Sequence, residues 1–294
     1  MIGIQHFRGF CIKEKRMGKK VGIVIPSYNQ GKFLEEAIQS VIKNRKHIDI
    51  KLIVVDGGST DGSAAIIKKY SAEIDWWRSR EDEGQANAIN IGMRQCGDCD
   101  YVMWLNSDDI YETDDAVARI VAFADTAGAG FCYGKSYFIN ETGGKIGEYP
   151  TVPYGEDVFY RSCIISQPSV LIESKLWEKA GGLNESFHMC LDYEMWIRLA
   201  QICKPVYFEE YIGNTRMYAD TKTATQEERH LMEAICIMHH YLGDVPDSWL
   251  YAWMRLRDKW GIMNIFPNRL LMGWEFRNKK KKVREIMEGI NIEW

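Results

Sequence analysis

Three short apolar runs, Val21-Gly-Ile-Val-Ile-Pro26, Lys51-Leu-Ile-Val-Val-Asp56 and Tyr101-Val-Met-Trp-Leu105, each stop abruptly at polar residues. Between them the apolar spacing is helical. Phe33, Leu34, Ala37, Ile38 and Val41 follow the first run, and the turn Gly57-Gly-Ser-Thr-Asp-Gly62 leads from the second into a helix through Tyr70. Ile74 to Ser79 is a third candidate strand and Gln85 to Cys96 a further helix. Short apolar runs alternating with helices imply right-handed crossovers and a largely parallel sheet covered on both faces. The expected fold class is α/β, a Rossmann-like, mostly parallel sheet. Ligands of such sheets bind beyond the carboxyl ends of the strands, so the polar strand ends converge on one site.

The later sequence changes character. Phe131 to Ile139 and Lys145 to Tyr149 read as strands around a Gly143-Gly144 turn, Leu176 to Ala180 and Asp192 to Ile202 as helices, and Pro205 to Phe208 as a strand. From about Thr223 the pattern is helical, dense in Trp and Met, and increasingly basic. The expected organisation is a tail over 1–19, an α/β domain over 20–222 and a C-terminal helical appendage over 223–294. A chain of 294 residues, 46% hydrophobic and 27% charged, can bury one large core. A formal net charge of -4 argues against a general nucleic-acid binder. No apolar run of roughly 18 residues predicts a transmembrane helix. Met1 to Lys20 lacks the apolar core and cleavage site of a secretion signal, so a cytoplasmic protein is expected, with Met17 an alternative start. Of eight scattered cysteines only Cys96-Gly-Asp-Cys99 has metal-like spacing; without a second pair it reads as a turn holding reduced thiols.

The strand ends carry the chemistry. Asp108 and Asp109 end Leu105-Asn-Ser-Asp-Asp109. Adjacent carboxylates repel each other and resist desolvation, so a cation belongs beside them. Hard oxygen ligands favour Mg²⁺ or Mn²⁺, ions that also hold substrate phosphates. An Asp-rich turn capping the next helix is the competing reading. At the first strand end Pro26 fixes the exit, Tyr28 offers an aromatic face for a base, and Ser27 or Asn29 serves as helix cap or ligand contact. Asp56 can accept a hydrogen bond from a uracil-like N3–H or a ribose hydroxyl, whereas Asp61 reads as a helix cap. No G-x-G-x-x-G follows a strand, so the dinucleotide fingerprint is missing. Asp82 and Gln85, at the open end of the next loop, are placed to read ribose or base, with Ala88 and Gly92 packing on the sheet.

In this order and spacing, Pro26-Ser-Tyr-Asn, Val55-Asp-Gly-Gly-Ser-Thr-Asp-Gly, Asp82-Glu-Gly-Gln-Ala and Leu105-Asn-Ser-Asp-Asp resemble glycosyltransferase family 2, over roughly residues 20 to 218. The resemblance implies a GT-A fold, a nucleotide-sugar donor (a UDP-sugar favoured), Mn²⁺ or Mg²⁺, and inversion at the anomeric carbon. It implies that Asp56 contacts the base, Asp108 the ribose or the metal shell, and Asp109 the metal beside the diphosphate; Asn106, in the same motif, joins the nucleotide-sugar contacts. It also places the catalytic base at Asp192 in Leu191-Asp-Tyr-Glu-Met-Trp196, with Glu194 as the runner-up carboxylate. Asp192 shares a helical face with Trp196, and the helix dipole is expected to hold it ionised. Where the family often carries Arg-x-His, this chain reads Arg216-Met-Tyr218. Arg216 is then expected to neutralise diphosphate and Tyr218 to donate a hydrogen bond in place of the histidine.

The Gln-x-x-Arg-Trp motif of processive polysaccharide synthases is missing, which points to single-residue addition to a saccharide or lipid-linked acceptor in glycan, polysaccharide or glycolipid assembly. Rival readings are an idle nucleotide-sugar-binding protein and a nucleotidyltransferase, although the latter wants a Gly-rich, basic loop after the first strand. Between Arg255 and Arg284 ten Lys or Arg stand against Asp258 and Glu275, interleaved with aromatic residues such as Trp260, Phe266 and Trp274. That composition suits either a helical lid or peripheral attachment to an anionic membrane at its inner face.

Overall fold

A computed structural model describes residues 17–159, 161–219, 221–257 and 279–294. The elements in chain order are β1 (Met17–Ser27), α1 (Gly31–Asn44), β2 (Ile48–Asp56), α2 (Ser63–Lys69), β3 (Trp76–Ser79), α3 (Gln85–Arg94) and β4 (Tyr101–Trp104). Then come β5 (Ile110–Tyr111), α4 (Ala116–Ala127), β6 (Phe131–Ile139), β7 (Lys145–Glu148), α5 (Glu156–Phe159), β8 (Val170–Glu173), α6 (Ser174–Ala180) and α7 (Leu191–Ile202). The last are β9 (Val206–Arg216), α8 (Lys222–Thr225), α9 (Glu227–Leu242), α10 (Asp247–Arg257) and α11 (Lys279–Gly289).

The strands form one sheet in the order β3-β2-β1-β4-β8-β6-β9-β5, with β7 on β6. β1 to β4 are parallel, as the strand–helix alternation requires. β8 enters antiparallel between β4 and β6, and β5 closes antiparallel on β9. Period-two alternation divides the core between the two faces. Ile23, Ile25, Leu52, Val54 and Met103 meet Leu34, Ile38 and Val41 of α1 and Ile120 of α4 on one side. Val24, Ile53, Val55, Val102 and Trp104 meet Ile89 of α3 and Trp196 of α7 on the other. α3 lies so close to the sheet that a Cβ on Gly92 would meet Val24 Cγ1 at 2.4 Å. Cys96 and Cys99 pack over Gly22 in the same way, and burial pushes their thiols up to about 12 and about 11, which suits a buried turn.

Two expected boundaries shift. β1 begins at Met17, inside the segment read as a tail. The C-terminal helices are no separate appendage: Leu231 to Met238 of α9, Leu250 and Trp253 of α10, and Val283 and Ile286 of α11 belong to the same core cluster as Trp104 and Trp196. The described helices thus pack against the α/β core. Trp249 Nε1 donates to Arg161 O at 3.1 Å, and Lys279 pairs with Asp244 and Asp247 at 2.7 and 3.1 Å. Trp260, Phe266 and Trp274, with Lys259, Arg269 and Arg277 of the basic stretch, lie outside the described residues. Among the described residues no helix is long and apolar enough to cross a membrane.

Candidate active site

The sheet register brings the strand ends side by side: Ser27 pairs with Asp56, and Asp56 with Ser79. Asp56 is fully buried, and its carboxylate accepts Ser59 N–H at 3.0 Å, Ser59 Oγ at 2.5 Å and Ser79 Oγ at 2.6 Å. It braces the loop, Oδ1 accepting one of these hydrogen bonds and Oδ2 the other two. The N-cap of α2 is Gly62 and not Asp61 as expected; Asp61, one residue earlier, accepts Ser63 N–H at 3.1 Å and Gly31 N–H at 2.8 Å, and so ties the starts of α1 and α2 together. Those hydrogen bonds, against an opposing burial penalty, hold its carboxyl below the usual range.

Asn29 has φ 52°, in the left-handed region that Asn tolerates better than most residues. It links the first two loops, donating N–H to Ser59 Oγ at 2.7 Å and accepting Thr60 N–H at 2.9 Å. Tyr28 is 65% exposed, which leaves its ring free to stack. Pro26 and Ser27 are buried in the last turns of β1. Asp82 sits against Gly57, where a Cβ would approach its Oδ2 to 3.0 Å, and accepts Gly84 N–H at 2.9 Å.

The two-residue β5 explains how Asp108 and Asp109 reach the far end of the chain. Ile110 pairs with Asn214, so the end of β9 runs alongside the carboxylates. Asp109 is 2% exposed and turned inward, accepting Arg216 N–H at 2.8 Å and Asn106 Nδ2 at 3.2 Å. Asp108 is half-buried and accepts the Tyr218 hydroxyl at 2.9 Å. Burial raises both carboxyls, and the neighbouring Asp108 charge pushes Asp109 further. Asp108 is the more exposed of the two carboxylates, and Asp109, expected as the metal ligand, organises the turn.

Arg216 is the second correction. Its guanidinium is wholly buried and already committed: Nε donates to Asp108 O at 2.7 Å, one terminal nitrogen to Asn140 O and Glu141 O at 3.0 and 2.9 Å, and the other to Glu36 at 2.6 Å. It also lies over the Phe33 ring, 4.8 Å from the centroid. This is a brace, not a free phosphate clamp. Tyr218, in the place of the family histidine, joins Asp108 to Gln30 (3.0 Å) and packs on Phe33 with ring centroids 5.0 Å apart. Burial and the Asp108 charge raise its phenol, so it stays a hydrogen-bond donor.

Among the described residues a further cation here is Lys222, which the sequence reading passed over. Its ammonium donates to Gln85 Oε1 at 3.0 Å and His188 O at 3.1 Å, and Gln85 continues to Asn106 at 2.9 Å. Burial lowers its affinity for a proton, while the charges of Asp108 and Asp192 raise it. Lys222 thus lies in the electrostatic reach of both carboxylates. Its one sequence signal was position, six residues beyond the Arg216 that marks the end of β9.

Asp192 sits in the first turn of α7 and accepts Tyr193 N–H at 2.8 Å. Burial raises its carboxyl and outweighs the backbone hydrogen bond and His230 charge that favour ionisation, so the dipole does not dominate as expected. α7 is anchored to β4 by Trp196, stacked on Trp104 with centroids 5.1 Å apart, and Trp104 lies two residues before Asn106. Glu194 is excluded as the working carboxylate: it is 1% exposed, clasped by Arg198 at 2.6 and 2.7 Å and by the Tyr241 hydroxyl at 2.6 Å. Among the described residues no group of three His, Cys, Asp or Glu converges as a complete metal cage.

Comparison with known proteins agrees with this architecture. Chondroitin synthase of Escherichia coli is 24% identical over 216 residues, covering 71% of this chain and 31% of its own length. The chain therefore spans about a third of that relative. Staphylococcus aureus TarS 1-349 in complex with UDP-GlcNAc superposes with a TM-score of 0.61 at 13% identity, over 92% of this chain and 82% of that one. Mannosyltransferase PcManGT of Pyrobaculum calidifontis, in complex with GDP-Man and Mn²⁺, gives 0.57 at 13% identity, over 80% and 68%. These likenesses establish the GT-A fold. The sequence profile described as glycosyl transferase family 2 matches residues 22–176, more than half of the chain, and the chain belongs to that family.

Proposed function

We propose that the chain is an inverting glycosyltransferase that moves a sugar from a nucleotide-sugar donor, a UDP-sugar by preference, to an acceptor hydroxyl. The observation that carries this reading is the chain of polar contacts from Lys222 through Gln85 and Asn106 to Asp109 beside the carboxyl ends of the strands, with Asp108 and Asp192 both within electrostatic reach of the Lys222 ammonium. In this reading Tyr28 stacks on the base, with Pro26, Ser27 and Asn29 shaping its loop. Asp82 and Gln85 border the ribose, and Lys222 meets diphosphate charge. Mn²⁺ or Mg²⁺ fits the donor set, because adjacent hard carboxylates relieve their repulsion on a cation. Asp108 would hold it, with Asp109 behind, and substrate oxygens and water would supply the remaining ligands. When bound, such an ion supplies Lewis-acid charge compensation to the departing diphosphate.

Asp192 accepts the proton of the acceptor hydroxyl as that oxygen bonds to the anomeric carbon. The bond from that carbon to the diphosphate oxygen breaks, and the nucleoside diphosphate leaves with the electron pair. Attack opposite the leaving group inverts the centre. A buried carboxylate is a stronger base than an exposed one, whose pKa is about 3.9, so the surroundings of Asp192 favour this role. Chondroitin synthase among the relatives supports a saccharide acceptor in glycan assembly. The test is Asp192→Asn, which keeps donor affinity but lowers turnover by on the order of 10²-fold or more. Equal loss of affinity and turnover would make Asp192 a structural residue, and wild-type release of nucleoside diphosphate must require donor and acceptor together.

A further inference from the structure

We propose that Glu233 is a positioning residue for the base: its carboxylate, carried in from α9, holds the backbone turn that sets Asp192. The proposal rests on the reading of Asp192 as base. No side chain of its own segment caps α7; its N-cap is Cys190. Three consecutive backbone N–H groups just before and at that cap converge on Glu233 instead. His188 N–H lies 3.0 and 3.1 Å from the two carboxylate oxygens, Met189 N–H at 2.7 Å and Cys190 N–H at 2.9 Å. Glu233 is wholly buried, and Arg229, one turn earlier on α9, donates to it at 2.8 Å. A buried ionised carboxylate persists only where donors and countercharge surround it, and a helix N-terminus favours an anion.

The same turn is gripped from its other side by Lys222 on the His188 carbonyl. Asp192 follows Cys190 by two residues, so these contacts determine where the first turn of α7 begins, while Trp196 on Trp104 sets its depth against the sheet. Misplacing a catalytic group by about 1 Å can cost about 10²-fold in rate. Glu233 also acts through charge. The groups facing Asp192 are His230 and Glu233 from α9, Lys222 from α8, and Tyr149, Cys163 and Cys190. His230 favours the ionised base and the Glu233 anion opposes it. Helix α9 lies outside residues 22–176 matched by the family profile, so this part of the base's support comes from the C-terminal region.

The experiment compares wild type, Glu233→Gln, Glu233→Asp and Asp192→Asn in the full chain. The readouts are kcat, donor KM, UDP affinity, the pH profile of kcat and thermal unfolding. Glu233→Gln keeps the shape but turns an amide NH₂ toward backbone N–H groups; kcat falls about 10- to 100-fold with donor KM and UDP affinity within about twofold. Removing the anion lets Asp192 ionise more easily, so the acid limb of kcat moves to lower pH; Glu233→Asp, which restores the charge, returns that limb toward the wild-type position. A merely structural cap would lower the unfolding temperature and leave the limb where it was. Wild-type kcat and pH profile in Glu233→Gln that is folded at the assay temperature overturn the proposal; if that variant does not fold, an unchanged kcat in Glu233→Asp does so. Full turnover in Asp192→Asn instead overturns the base itself.

Discussion

Replacing Arg216 by Lys separates two jobs that the sequence cannot tell apart. If the guanidinium clamps diphosphate, the lysine variant folds normally and binds donor poorly; if it is the brace described above, stability falls first. The side chain is 0% exposed and makes hydrogen bonds to Asp108 O, Asn140 O, Glu141 O and Glu36. An ammonium at the end of a flexible stem cannot reproduce the fork, and leaves at least two part-buried carbonyls without their protein donor. Each unsatisfied buried group costs about 1–3 kcal/mol. The Glu36 pair is discounted to at most about 1 kcal/mol, because the Glu36 side chain is half exposed. The expected destabilisation is about 3–5 kcal/mol, which for a chain of this size lowers Tm by on the order of 5–10 °C. Urea and thermal unfolding read the stability, and calorimetric titration of folded protein with UDP and with uridine reads the phosphate contacts. A Tm within about 2 °C of wild type together with a tenfold or greater loss in the UDP-to-uridine affinity ratio would refute the brace and reinstate Arg216 as a diphosphate ligand.

Two further substitutions test the reassigned roles. Asp108→Asn is expected to abolish Mn²⁺-dependent UDP binding with little change in Tm. Asp109→Asn, which sets an amide against Asn106 Nδ2, costs about 1–3 kcal/mol of stability and retains metal dependence; the reverse pattern in thermal-shift titrations with Mn²⁺ returns the metal to Asp109. Lys222→Met removes the ammonium between Gln85 and His188, so UDP affinity drops about 10- to 100-fold while uridine affinity holds. Equal effects on both ligands in calorimetry would show that Lys222 acts only through the loop.

The sequence by itself determined the half of the molecule that obeys periodicity. Alternating strands and helices, apolar residues at helical spacing in α1, and a polar end to β2 at Asp56 follow from short-range rules, and the elements form where they are expected. That Asp61 serves the start of α2 was legible for the same reason, although the N-cap itself is Gly62. β5 is too short for a periodic signal, and β8 enters antiparallel between strands distant in sequence; only pairing in space defines either. That pairing decides that Arg216 turns inward and that Asp109 is the more deeply buried of the two carboxylates. The domain boundary near 222 failed because a change in composition is not a change of core: α9 packs on α7, and its Glu233 reaches the turn before Asp192. A residue type and its spacing state what chemistry is available. Whether a charged group faces a ligand or braces the backbone depends on which donors and acceptors the rest of the chain brings within about 3 Å, and that is decided only when the chain is folded.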